Sequence, residues 1–166
     1  MAPKIIRSFP LAYHITLHTY GSWLPGDPRG WHHRGDGARA VERPGSSALH
    51  GISRELQRDP TVMLTAVMMV VVVESIVGLA RVRNWRLSAA AAVPSHLHAV
   101  IGAPLLGLTV IAEIREASAR LLDERGLHDP ARRLWSEGGH FSVVQTVAQL
   151  MRATEYVVHH RVRAGG

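Results

Sequence analysis

The 166-residue sequence contains no cysteine, so disulfides and thiolate-bound metals are excluded and no oxidising compartment is required. Lysine is nearly missing too: Lys4 stands alone, and the formal net charge of +6 is an excess of arginine. An arginine-rich surface concentrates polyanions, because the guanidinium fork suits phosphate, and nucleic acid becomes the leading partner class. The start of the chain, Met1-Ala2-Pro3-Lys4-Ile5-Ile6-Arg7, lacks the apolar core of a signal peptide, and a cytoplasmic protein is expected. A long uninterrupted apolar run is also absent. The nearest approach, Val62 to Ala80, is broken by Thr65, Glu74, Ser75 and Gly78 and bounded by Pro60, Arg81 and Arg83, so it reads as a buried helix with no membrane role.

What is present is a globular composition, 46% hydrophobic and 19% charged, long enough for a real core in one domain over residues 1–166. Leu11 to Tyr20 reads as a first strand, rich in β-branched and aromatic residues. A long loop follows from about residue 21 to 58, carrying Trp23, Trp31, Arg29, Arg34, Arg39 and Arg43. Loops of that length are usually functional or mobile, and these residues suit stacking on and phosphate contact with a single strand; anchoring of the two tryptophans to the core is an equal alternative. A helix is expected over Thr61–Arg83, strands over Arg86–Val93 and His96–Ile101, a helix over Thr109–Arg125, a short strand over His140–Val144 and a helix over Thr146–Val162. That order predicts an α+β fold, with helices packed on an antiparallel sheet.

The chemistry gathers around Val93-Pro94-Ser95-His96-Leu97-His98-Ala99-Val100-Ile101. On a strand, His96 and His98 share one face, with Leu97 and Val100 expected on the other. Paired imidazoles make half a metal site and need a third ligand. In the last helix Val147, Leu150, Met151, Thr154 and Val158 form an apolar stripe. Tyr156 lies opposite with His160 one turn on, close enough to reach a common point; His159 is the weaker alternative. Two strand histidines and a helix histidine could hold a divalent cation that polarises a phosphoryl oxygen, leaving Tyr156 as the nucleophile.

Read together, Tyr13-His14-Ile15-Thr16, Tyr20-Gly21-Ser22-Trp23-Leu24-Pro25-Gly26-Asp27, Pro94-Ser95-His96-Leu97-His98, Leu134-Trp135 before glycines, and Glu155-Tyr156-Val157-Val158 resemble the single-tyrosine HUH transposases. Within them, the chain is most similar to the REP-associated tyrosine transposases. The resemblance implies a ferredoxin-like HUH endonuclease sandwich and a metal-dependent single-stranded DNA endonuclease and strand transferase. Such an enzyme makes a 5′-phosphotyrosine. It implies Tyr156 as nucleophile, His96, His98 and His160 as ligands of Mg²⁺ or Mn²⁺, and single-stranded DNA, including hairpins, as partner of a monomer or homodimer. Arg29, Arg34, Arg132, Arg133 and Arg152 are the expected DNA contacts. Two departures stand out: Ser95 where the family usually has Asn, and His160 where it commonly has Asn or Gln, which would shift metal preference towards softer ions. Two rival readings remain, a DNA-hairpin-binding relative that does not cut, and a metal-independent phosphoesterase using His14-Ile15-Thr16 and His140-Phe141-Ser142.

Overall fold

Short, β-branched and alanine-rich segments pair into four antiparallel strands: β1 (Ala12–His18), β2 (Arg86–Val93), β3 (His96–Gly102) and β4 (His140–Val144). They were traced in a computed structural model that describes residues 8–32 and 42–163, with side chains as far as His160. The strand order is β2-β3-β1-β4. This order puts the histidine strand β3 and β1 side by side at the centre, with Thr16 opposite His98 and His18 opposite His96. On the other flank of β1, Thr16 faces His140 and His14 faces Ser142.

The two-residue period of each strand then divides the sheet into unlike faces. Tyr13, Ile15, Leu17, Leu97, Ala99 and Ile101 point to one side, where helices α2 (Ala66–Val82) and α3 (Gly107–Glu124) cover them. Val71, Val72, Ile76, Val110, Ile114 and Leu122 complete this core. The run Val70 to Val73 is a weak helix former, yet it is helical because Val71 and Val72 are buried against the sheet; tertiary burial outweighs the propensity cost of a few tenths of a kcal/mol per residue, roughly. On the opposite face α4 (Val147–Arg163) lies over β2 and β3. Its footing is a smaller cluster in which Val157 meets Ala12, Ala91, Val100 and Val144.

The α+β sandwich expected from the sequence is therefore present, with four differences. The segment expected as a loop from about 21 to 58 contains a helix, α1 (Ser47–Glu55), capped by the Ser46 side chain accepting from the Leu49 amide. None of its residues is buried, and at nine residues with Gly51 inside it the helix is too short to stand out from the surrounding loop. The helix expected from Thr61 begins only at Ala66, because Val62 and Leu64 donate their amides to the carbonyls of Tyr20 and Pro94 and hold that stretch extended up to the Thr65 cap. Val100 lies on the histidine face and packs near Val157; strand alternation itself requires this, since 96, 98 and 100 share parity.

The fourth difference concerns α4. Of its expected apolar stripe, Val147, Met151 and Val158 are 65%, 66% and 53% exposed. The residues that meet the sheet are Leu150, Ala153 and Val157, with His160 next in the same helical line. The strands there offer alanines and imidazoles, so a smaller helical face fits closest and the bulkier one is left outside. Among the described residues, no helix is long and apolar enough to cross a membrane.

Candidate metal centre and active site

Three imidazoles converge at the end of the sheet that α4 overhangs. His96 and His98 extend from β3, and His160 reaches down from α4; one ring nitrogen from each lies within 4.8 Å of the others. The Nε2 atoms of His96 and His160 are 2.9 Å apart. His98 is only 5% exposed, and its Nε2 is buried with no hydrogen-bond partner among the described residues. An orphaned buried nitrogen is costly unless something binds it. His159, the weaker alternative, points elsewhere, with its Nδ1 2.9 Å from the Glu155 carbonyl.

The other nitrogen of each strand histidine is occupied. Ser95 Oγ lies 2.9 Å from His96 Nδ1, and Thr16 Oγ1 lies 3.0 Å from His98 Nδ1. His14 Nε2 is 3.3 Å from the same His98 atom. Burial is the main reason the imidazoles stay neutral: it pushes His98 down to about 3 and His96 to about 4, with neighbouring imidazoles acting in the same direction. His18, pressed between His96 and Trp23, is likewise lowered to about 4 by burial, then by the nearby Arg29 cation. Neutral rings carry the lone pairs a cation needs. With a buried nitrogen lacking a partner among the described residues and three imidazoles converging, two of them held neutral by burial, the donor set fits a divalent ion.

Tyr156 borders this cluster. Its ring centroid is 5.5 Å from that of His98, 5.7 Å from His160 and 5.6 Å from His14. The residue is 52% exposed, and it lines an open cleft of about 450 Å³ with Arg152, Glu155, His159 and His160. A phenol beside a triad of imidazoles, accessible from solvent, is arranged for a substrate too large to be enclosed.

Of the arginines expected to contact DNA, Arg152 lies in that cleft. Arg29 is committed to Asp27, donating from Nε and Nη2 at 2.8 and 2.7 Å, and its guanidinium sits 4.4 Å from the Trp23 ring centroid. This pairing holds the Asp27 carboxyl down to about 2. The loop around it is tight: a Cβ on Gly26, whose φ is +83°, would come within 2.5 Å of the His50 amide nitrogen. Trp23 is thereby fixed as a plate against His18, so it serves as an anchor beside the site. Arg132 and Arg133 sit exposed in the connector before Trp135, paired with Asp129 and Glu137, outside the triad. Arg34 and Arg39 lie outside the described residues.

Sequence reasoning gave His18 no role, offered Thr16 only to the phosphoesterase reading, and noted Ser95 only as a departure from the family motif. The signal for the first two was available in β1, where residues 14, 16 and 18 alternate onto one face, but only the β1–β3 register shows that it is the histidine face.

Comparison with solved structures follows the same geometry. The chain has the fold of a REP-associated tyrosine transposase solved bound to a REP hairpin, at TM-score 0.50 and 12% identity, covering 99% of this chain and 74% of that one. A second neighbour, a candidate transposase from Deinococcus radiodurans R1, aligns at TM-score 0.47 and 13% identity over 97% and 98% of the two chains. No family model and no curated protein matches the sequence.

Proposed function

We propose that this protein is a transposase-type DNA endonuclease and strand transferase that works through Tyr156. The observation carrying the reading is the meeting of Tyr156 with the His96–His98–His160 cluster on the fold of a tyrosine transposase. In the proposed step, Tyr156 Oη attacks the phosphorus of a scissile phosphodiester in single-stranded DNA. The bond to the 3′-oxygen breaks, a 5′-phosphotyrosine forms, and the phenolic proton leaves to solvent while the departing 3′-oxygen takes one up. The phosphotyrosine ester retains the energy of the broken linkage for later rejoining.

His96, His98 and His160 would hold the cation, which when bound supplies charge neutralisation and polarisation at a phosphoryl oxygen. Mg²⁺ or Mn²⁺ is expected to serve, and the all-nitrogen donor set favours Mn²⁺ and softer divalent ions over Mg²⁺. Arg152 stands where it would grip a phosphate next to the scissile one. Arg132 and Arg133, and with them Arg29, would add basic contacts along a longer strand or a hairpin. A hairpin is the form bound by the transposase neighbour, and it is the first DNA to try.

End-labelled single strands and hairpins with single-stranded flanks, incubated with Mn²⁺, test the proposal. The wild type should give a covalent protein–DNA species, and Tyr156→Phe should give none while still binding the DNA. Binding without cleavage in the wild type would leave a DNA-binding relative. A specific observation keeps the phosphoesterase reading in the experiment: His14 and His140 lie on adjacent strands, and burial and His140 both lower His14. Activity that persists in chelator and in Tyr156→Phe would favour that pair.

A further inference from the structure

Both strand histidines show the same wiring. In each, Nδ1 lies at hydrogen-bond distance from a hydroxyl oxygen, which leaves the opposite nitrogen, Nε2, to serve as a ligand. His96 uses Ser95 Oγ at 2.9 Å and brings Nε2 to His160; His98 uses Thr16 Oγ1 at 3.0 Å and leaves Nε2 buried and without a partner among the described residues. A neutral imidazole has one N–H, so Nε2 offers a lone pair only when the proton sits on Nδ1. A buried Nδ1–H in turn needs an acceptor, which a hydroxyl oxygen provides.

We infer that Thr16 and Ser95 are positioning residues that hold His98 and His96 in the Nδ1–H tautomer, with Nε2 directed to the cation. The inference deepens the metal-binding reading above and rests on it for its consequence. The backbone fixes both hydroxyls in advance. Thr16 is the direct cross-strand partner of His98 in the β1–β3 ladder, and Ser95 ends the turn that leads into His96. Neither side chain must be ordered when the metal arrives, so the site is oriented before it is loaded. Without the hydroxyl, His96 is free to carry its proton on Nε2, the atom that must be bare to bind, and His98 Nδ1 keeps only its longer 3.3 Å contact with His14 Nε2.

Two measurements on the full chain test this. In metal-free protein, long-range ¹H–¹⁵N correlation spectra should show His96 and His98 protonated at Nδ1. Thr16→Val should move His98 towards the Nε2–H form, and Thr16→Ser should restore it. In calorimetric titration with Mn²⁺ or Zn²⁺, Thr16→Val and Ser95→Ala should each weaken binding by about 10–100-fold, with Thr16→Ser close to wild type. Ser95 is in a turn, so its variant keeps the test open if Thr16→Val fails to fold. An Nε2–H tautomer in the wild type, or unchanged ion affinity in both hydroxyl-deletion variants, overturns the inference and leaves the metal site standing. A tautomer shift in Thr16→Val with no ion bound by any form, wild type included, removes the metal reading and keeps the lock.

Discussion

On one face of the sheet, Ile15, Leu17, Leu97 and Ile101 meet two helices in a continuous core of large aliphatic side chains. On the other, His14, Thr16, His18, His96 and His98 occupy the same strands one residue out of phase, and a single helix rests beside them on Val157 and small neighbours. The difference teaches where stability and chemistry reside. Volume lost on the first face lowers stability directly, whereas the second accepts imidazoles and hydroxyls because the first already supplies the burial. It also makes the α4 half of the site the more lightly held: the strand ligands are built into the sheet, while Tyr156 and His160 depend on how α4 seats.

Single substitutions can break this contrast. The largest expected effect is at Leu97, which lies between the two histidines in sequence but is wholly buried on the other face. Leu97→Ala should cost about 2–5 kcal/mol in denaturant unfolding while leaving all three imidazoles able to bind metal below the transition. Val157→Ala should cost roughly 1–3 kcal/mol, combining lost methyl burial with a small cavity. Its effect on covalent DNA attachment should exceed that of Leu97→Ala when both are measured fully folded, because it loosens the helix that carries Tyr156. Equal attachment rates would contradict the claim that α4 is the softer half.

The faces also differ in pH response. His96 and His98 are held at about 4 and about 3 by burial, against an ordinary value of 6.5. Above pH 6.5 both folded and unfolded chains leave them neutral and the fold has its full stability. As the pH falls from 6.5 towards 4 and then 3, the unfolded chain takes up protons that the folded one refuses, so metal-free protein should lose stability across that window. His98→Gln should flatten this dependence, whereas Leu97→Ala should lower the whole curve without changing its slope. The smallest effect belongs to the outward stripe of α4: Met151→Gln should change stability by no more than about 0.5 kcal/mol, as expected for an exposed side chain.

The sequence disclosed the parts of the site that depend on local period. His96 and His98 share a face because strands alternate, and Tyr156 and His160 neighbour one another because helices turn every 3.6 residues. The same arithmetic chose the wrong side of α4, since it ranked Met151 and Val158 above Ala153 without knowing that alanines and imidazoles waited on the sheet. That Thr16 and His14 meet His98 was hidden for a different reason. Their link to His98 spans more than eighty residues and exists only through the pairing of β1 with β3. Helix α1 went unread because it is only nine residues long, with Gly51 inside it, in a stretch rich in glycine and proline.

The most direct measurement is peptide mapping of the covalent species formed with a labelled single strand in Mn²⁺. The account predicts one modified peptide, bearing a 5′-linked nucleotide on Tyr156, absent in His98→Ala and in chelator. A nucleotide on another side chain, or cleavage that releases a free 5′-phosphate with no protein adduct, would contradict it.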